Sequence, residues 1–146
     1  MAAELPPKLQ DVMDSLSLLT DRSERIEALV SIAERFRPAP PGISNAADRE
    51  AHRVPACESE AFVWATPLDR SRVDLHYAAD NPQGVSAMAL CSILDDALSG
   101  EMPDEIAKVP DDLIYEIFGR ELSMGKSMGL MGVIQMTKTM AKRAAQ

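Results

Sequence analysis

Apolar positions in the first forty residues recur every three or four places. In "PPKLQDVMDSLSLL" Leu9, Val12, Met13, Leu16 and Leu19 fall on one stripe of a helix entered through Pro6 and Pro7. "DRSERIEALVSIAERF" repeats the pattern with Ile26, Leu29, Val30, Ala33 and Phe36. Asp21 stands where a side-chain oxygen accepts from the first free amides, and Glu24 follows at the capping-box spacing. Joined by a tight connection, the two helices are expected to pack as an antiparallel pair. "RPAPPGISNAADRE" breaks the period, because its prolines and glycine remove backbone donors or fix φ, and it predicts an irregular crossing loop.

Beyond that loop the period becomes two. Phe62 and Trp64 share one face, Ala61, Val63 and Ala65 the other, and Val73, Leu75 and Tyr77 form a second alternating set. "TPLDRS" between them carries the turn formers Pro67 and Asp69, so the pair reads as a β-hairpin. Two strands alone are marginal; the hairpin must bury a face against helices or gain a third strand, for which the segment from Ile43 to Val54 is available. "NPQGVSAMALCSILDDALSG" returns to helical spacing, with Val85, Met88, Leu90, Ile93, Leu94 and Ala97 on its apolar side. Asn81 or the turn at Pro82 begins this helix and Gly100 ends it.

Residues 102 to 118 read as two short helices divided by Pro110, with Asp111 capping a segment that buries Leu113, Ile114, Ile117 and Phe118. A last helix from Lys126 to Lys142 gathers Leu130, Val133, Ile134, Thr137, Met140 and Ala141 on one side. Gly125, Gly129 and Gly132 lower helix propensity there, which suits either close backbone packing or an easily displaced segment beside Cys57. The expected architecture is α+β, a small antiparallel sheet packed against several α-helices.

With 146 residues, 46% of them hydrophobic, the chain can form one cooperative domain. Its 23 acidic and 15 basic residues leave a formal charge of −8, and no local basic patch offsets it, so nucleic acid is not an expected partner. Apolar runs fall far short of the roughly twenty residues that span a bilayer. The N-terminus lacks the basic-then-apolar order of a secretory signal. No membrane association is expected, and the cytoplasm is the expected compartment.

Two cysteines cannot make a disulfide framework, and in a reducing compartment both are expected as thiols. Neither has a close Cys or His partner at a ligand spacing, and the histidines are only His52 and His76, so no bound metal is expected. Cys91, between Leu90 and Ile93, belongs to the core pattern. Cys57, in "HRVPACESEAFVW", lies between a proline turn and a strand, a setting open to packing or to reaction. Arg53 would favour its thiolate and Glu58 and Glu60 would oppose it, and the residues alone leave the net sign open. Ser59 is open to a turn role, His52 to a loop role and His76 to the solvent-facing side of its strand. Met124, Met128 and Met131 are ordinary helix packing before they are a soft-metal set.

"HRVPACESEAFVWA", "RVDLHYAADNPQG", "ALSGEMPDEI" and "ELSMGKSMGLMGVIQMTKTMAKRA" together resemble the SufE family of sulfur-acceptor proteins, over nearly the whole chain. The resemblance implies a single domain over residues 1–146, frayed at 1–5 and 143–146. It makes Cys57 the thiol that takes sulfane sulfur, as a covalent persulfide, from a SufS-like cysteine desulfurase and delivers it toward a SufBCD-like iron–sulfur cluster scaffold. The desulfurase, not this chain, carries the pyridoxal phosphate. The resemblance further implies a desulfurase activator rather than a stand-alone enzyme. Arg53, Ala56, Ser59, Lys126 and Gly129 then support the loop or its interface, and Val54, Phe62 and Trp64 supply apolar shelter.

Some positions depart from the family pattern. Ala56 replaces a glycine, which alanine does readily only at negative φ. Lys126 replaces an arginine and loses its fixed fork of donors, and Met124 and Met128 replace a proline and an asparagine, while Gly129 is retained. Two other classes compete with sulfur transfer. One is a noncatalytic adaptor with an inert Cys57; the other is a small cysteine hydrolase, which needs a base and an orienting group that two histidines scarcely offer.

Overall fold

A computed structural model describes residues 4–57, 60–80 and 85–145. In chain order the elements are α1 (Pro7–Ser17), α2 (Arg22–Glu34), α3 (Pro41–Ser44), a 3-10 turn (Arg49–His52), β1 (Ala61–Pro67), β2 (Val73–Ala79), α4 (Ser86–Leu98), α5 (Pro103–Ile106), α6 (Leu113–Phe118) and α7 (Met124–Ala144). The result is the expected α+β arrangement, a two-stranded antiparallel sheet packed against helices.

The fold is organised around α4. Ala87, Ala89, Leu90, Cys91, Ile93, Leu94, Ala97 and Leu98 are all buried, so apolar side chains occupy most of its circumference rather than one stripe. A helix of this kind must be covered on several sides, and α1, α2 and β2 cover it. Here the expectation of an antiparallel α1–α2 pair fails: both helices pack chiefly on α4, because each finds an apolar face there. Leu9, Met13 and Leu16 are buried as the spacing requires, but α2 buries only Leu29 and Ala33, and Ile26 is left half exposed. Asp21 caps α2 as expected, accepting from Ser23 N at 3.1 Å.

The hairpin pairs Phe62 with Ala78, Val63 with Tyr77 and Trp64 with His76. The segment from Ile43 to Val54 does not become a third strand. It folds into α3 and the 3-10 turn and meets β1 through one bridge, Arg53 to Phe62, with Val54 N donating to Ala61 O at 2.8 Å. The outer edge of β2 is closed by Ala39 N on Tyr77 O at 2.7 Å and Gly100 N on Val73 O at 2.8 Å, so isolated backbone groups take the place of a strand. Ala61, Val63, Val73, Leu75 and Tyr77 face the main core, while Phe62, Trp64 and Ala78 face outward into a small separate cluster with Ala39 and Ile43.

Asp111 does not cap α6, whose N-cap position is Asp112 without a side-chain bond. It instead meets Lys138 Nζ and accepts from Gln135 Nε2, both at 2.9 Å, tying the loop at Pro110 to α7. α7 begins earlier than the apolar spacing suggests, because Ser123 caps it by accepting from Lys126 N at 3.2 Å. The expected start of α4 at Asn81 or Pro82 lies outside the described residues.

Candidate functional site

The loop that carries Cys57 is fixed at both stems. Val54 N is bonded to Ala61 O, Glu60 N donates to Cys57 O at 3.0 Å, and Asp80 N donates to Glu60 O at 3.2 Å. Returning on itself within so few residues requires unusual backbone angles: Ala56 sits at φ +60° and Glu60 at φ +50°. Ala56 therefore occupies the left-handed region that glycine tolerates and alanine resists, at a cost of about 1–2 kcal/mol.

The loop rests on α7. A Cβ placed on Gly129 would stand 3.2 Å from Cys57 Cα and 3.3 Å from Ala56 O; one on Gly132 would stand 2.9 Å from Val54 Cγ1 and 3.3 Å from Pro55 O. The loop thus runs along the helix in reverse, Val54 and Pro55 over Gly132, then Ala56 and Cys57 over Gly129. Of the two roles the sequence left open for these glycines, the packing favours close approach of two backbones. Gly125, one turn earlier, is exposed. Cys57 itself is half-buried and packs against the main core.

Other sequence-derived site residues distribute unequally. Val54 is buried and sits against α7, close to the thiol in the chain. Phe62 and Trp64 do not shelter Cys57: strand alternation turns them to the opposite sheet face, in the separate cluster. There they stack on one another at 5.9 Å, with the Arg49 and Arg53 guanidinium groups 4.1 and 4.8 Å from the Phe62 ring centre. Arg53 also bonds Glu50 at 2.9 and 3.1 Å and lies 3.7 Å from Glu60, so its charge is shared with carboxylates. Lys126 is exposed in the first turn of α7. Glu58 and Ser59 lie outside the described residues.

Both histidines are engaged away from the thiol. His52 places Nδ1 2.8 Å from Val63 O and Nε2 3.3 Å from Asp48, and stacks on Trp64 at 5.4 Å. His76 Nε2 lies 3.0 Å from Thr66 Oγ1, half-buried rather than facing solvent. Neither histidine is bonded to Cys57. Cys91 is fully buried on α4; burial, then negative charge on Cys57 and Asp95, pushes its thiol far above the ordinary range. Among the described residues, no group of His, Cys, Asp and Glu could hold a metal ion, and no helix is long and apolar enough to cross a membrane.

One stabilising pair escaped sequence reasoning. Arg49 Nη2 contacts both carboxylate oxygens of Asp80 at 2.5 and 2.6 Å, and its Nη1 donates to Ser44 O at 2.5 Å. This clamp joins the segment before the Cys57 loop to the end of β2, where Asp80 also holds Glu60. Its partners are too far apart in the chain for any spacing rule to connect them.

Fold and site together define an α+β protein that presents one half-buried thiol on a pinched loop seated on its longest helix. The chain belongs to the SufE family: residues 10–141 match the Fe-S metabolism associated domain. It is 29% identical over 141 residues to SufE-like protein 1, chloroplastic/mitochondrial, of Arabidopsis thaliana. That match takes in 97% of this chain and 36% of the Arabidopsis protein, so the chain spans about a third of that relative's length. The fold is similar to the solution structure of a hypothetical protein from Thermus thermophilus, with a TM-score of 0.76 at 23% identity, over 97% of this chain and 98% of that one.

Proposed function

We propose that Cys57 accepts sulfane sulfur from a SufS-like cysteine desulfurase and passes it to a SufBCD-like cluster scaffold, in the cytoplasm. The observation that carries this reading is the seating of the Cys57 loop on Gly129, within a chain of the SufE family. In the step itself the Cys57 thiolate attacks the outer sulfur of the donor's persulfide. A bond forms between Cys57 Sγ and that sulfur, the donor's S–S bond breaks, and the electron pair leaves on the donor cysteine as a thiolate. Donor and product are both persulfides, so no outside oxidant or reductant takes part.

Cys91 is unsuited to the role, since burial keeps it protonated and out of reach. Ser59 and Lys126 are proposed to support the interface, Ser59 by its place beside the thiol in the chain. The test is alanine production by the desulfurase, with limiting reductant, in the presence of this protein. Wild type should stimulate turnover and Cys57→Ser should not, while still binding the desulfurase. Full stimulation by Cys57→Ser would favour the noncatalytic adaptor.

A further inference from the structure

Met124 and Met128 are 80% and 54% exposed, and they stand four residues apart on the first turns of α7. At that spacing their side chains are neighbours on the helix surface. Met128 immediately precedes Gly129, the residue against which Cys57 is packed. Two residues before Met124, Leu122 lines an open groove with Leu19, Ile26, Leu29 and Phe118, and Ile26 is half exposed there. Exposed apolar side chains therefore occupy the first turns of α7, next in the chain to the glycine on which the reactive loop is seated. Single exposed apolar residues need no explanation, but two neighbouring ones next to the seat of the reactive loop do.

We propose that Met124 and Met128 form a shelf that seats an apolar surface patch of the sulfur-donating desulfurase, and so set which donors reach Cys57. The inference rests on the reading of Cys57 as a sulfur acceptor. Transfer brings the two sulfurs to bonding distance, so the donor's surface must cover the ground around Cys57, and Met128 adjoins in the chain the glycine that seats it. The first turn of α7 contains no acidic residue, and Lys126, also exposed, projects from the side of the helix opposite the two methionines. Unbranched methionine side chains repack readily against an apolar partner. Arg22 and Glu121, paired at 2.9 Å on the groove's edge, supply the polar rim such a contact needs.

The test compares wild type, M124E/M128E and the conservative M124L/M128L in two reactions. In one, the source organism's SufS-type cysteine desulfurase loads Cys57; in the other, glutathione persulfide does so, with glutathione thiolate leaving. M124E/M128E should raise the apparent KM for desulfurase loading by about tenfold with kcat little changed, as expected for lost docking. M124L/M128L should stay within about twofold of wild type, and glutathione persulfide should load all three alike. An unchanged KM in M124E/M128E overturns the shelf, and so does a parallel loss with glutathione persulfide, which would place the effect on the thiol. Wild type loaded by glutathione persulfide but never by the desulfurase would overturn the acceptor reading itself, and the shelf with it.

Discussion

Gly129 meets Cys57 backbone to backbone: a methyl group on residue 129 would lie 3.2 Å from Cys57 Cα and 3.3 Å from Ala56 O. Neither neighbour is a flexible side-chain end, so a larger residue must push the loop off the helix. Gly129→Val should lower stability to urea by about 2 kcal/mol, the cost of overpacking, and should change the rate at which Cys57 is alkylated. Gly132→Ala presses instead on Val54 Cγ1, so it should cost stability with a smaller effect on that rate. Wild-type midpoint and alkylation rate in Gly129→Val would show that the loop does not depend on this seat.

Ala56 holds φ +60°, where its Cβ crowds the backbone. Ala56→Gly relieves that strain but loosens the unfolded chain, so the net gain should be modest, about 0.5–1 kcal/mol. Thermal unfolding of the two proteins measures it. A loss of stability would mean that the loop takes a negative φ in solution.

Burial raises the Cys91 thiol far above its unfolded value and raises the Tyr77 hydroxyl likewise. Above a pH of about 8.5 the unfolded chain ionises its cysteine while the folded chain keeps Cys91 protonated, so folded protein binds more protons and stability falls as pH rises. Between pH 8 and 9.5 wild type should lose about 1 kcal/mol more than Cys91→Ala does. Urea titrations of both proteins across that range provide the comparison. Equal slopes would show that Cys91 ionises as readily folded as unfolded.

Arg49 grips Asp80 with one nitrogen and lies over Phe62, joining the 3-10 turn to the end of β2. The pair is partly open to water, which limits its worth, yet Arg49 also satisfies Ser44 O. Arg49→Met should cost about 1–2 kcal/mol. Hydrogen exchange should quicken at the Asp80 amide, which donates to Glu60 O. A double cycle with Asp80→Ala isolates the pair, and additive losses would show that the clamp contributes nothing of its own.

Much of this fold was legible because local periodicity is a local property. The stripe of α1, the cap at Asp21, the strand alternation and the burial of Cys91 each follow from residues within a few places of one another. Arrangements among elements were not so legible. Ile26 keeps helical spacing yet stays half exposed, since α4 rather than α1 is the main support of α2. Phe62 and Trp64 alternate as expected, but which face lies toward Cys57 depends on the loop's return path. The glycines of α7 signalled close packing in the sequence; only the fold shows that Gly129 and Gly132 receive Cys57 and Val54. Arg49 and Asp80 carry no signal at all until the chain brings them together.

Mass spectrometry reads sulfur uptake at Cys57 on the atom concerned. The protein is incubated with cysteine and a SufS-type desulfurase, alkylated, and its peptides mapped. The expected result is a gain of one sulfur atom on the peptide containing Cys57, none on that containing Cys91, and none anywhere in Cys57→Ala. An unmodified Cys57 alongside a demonstrably persulfidated desulfurase would show that Cys57 does not accept the sulfur.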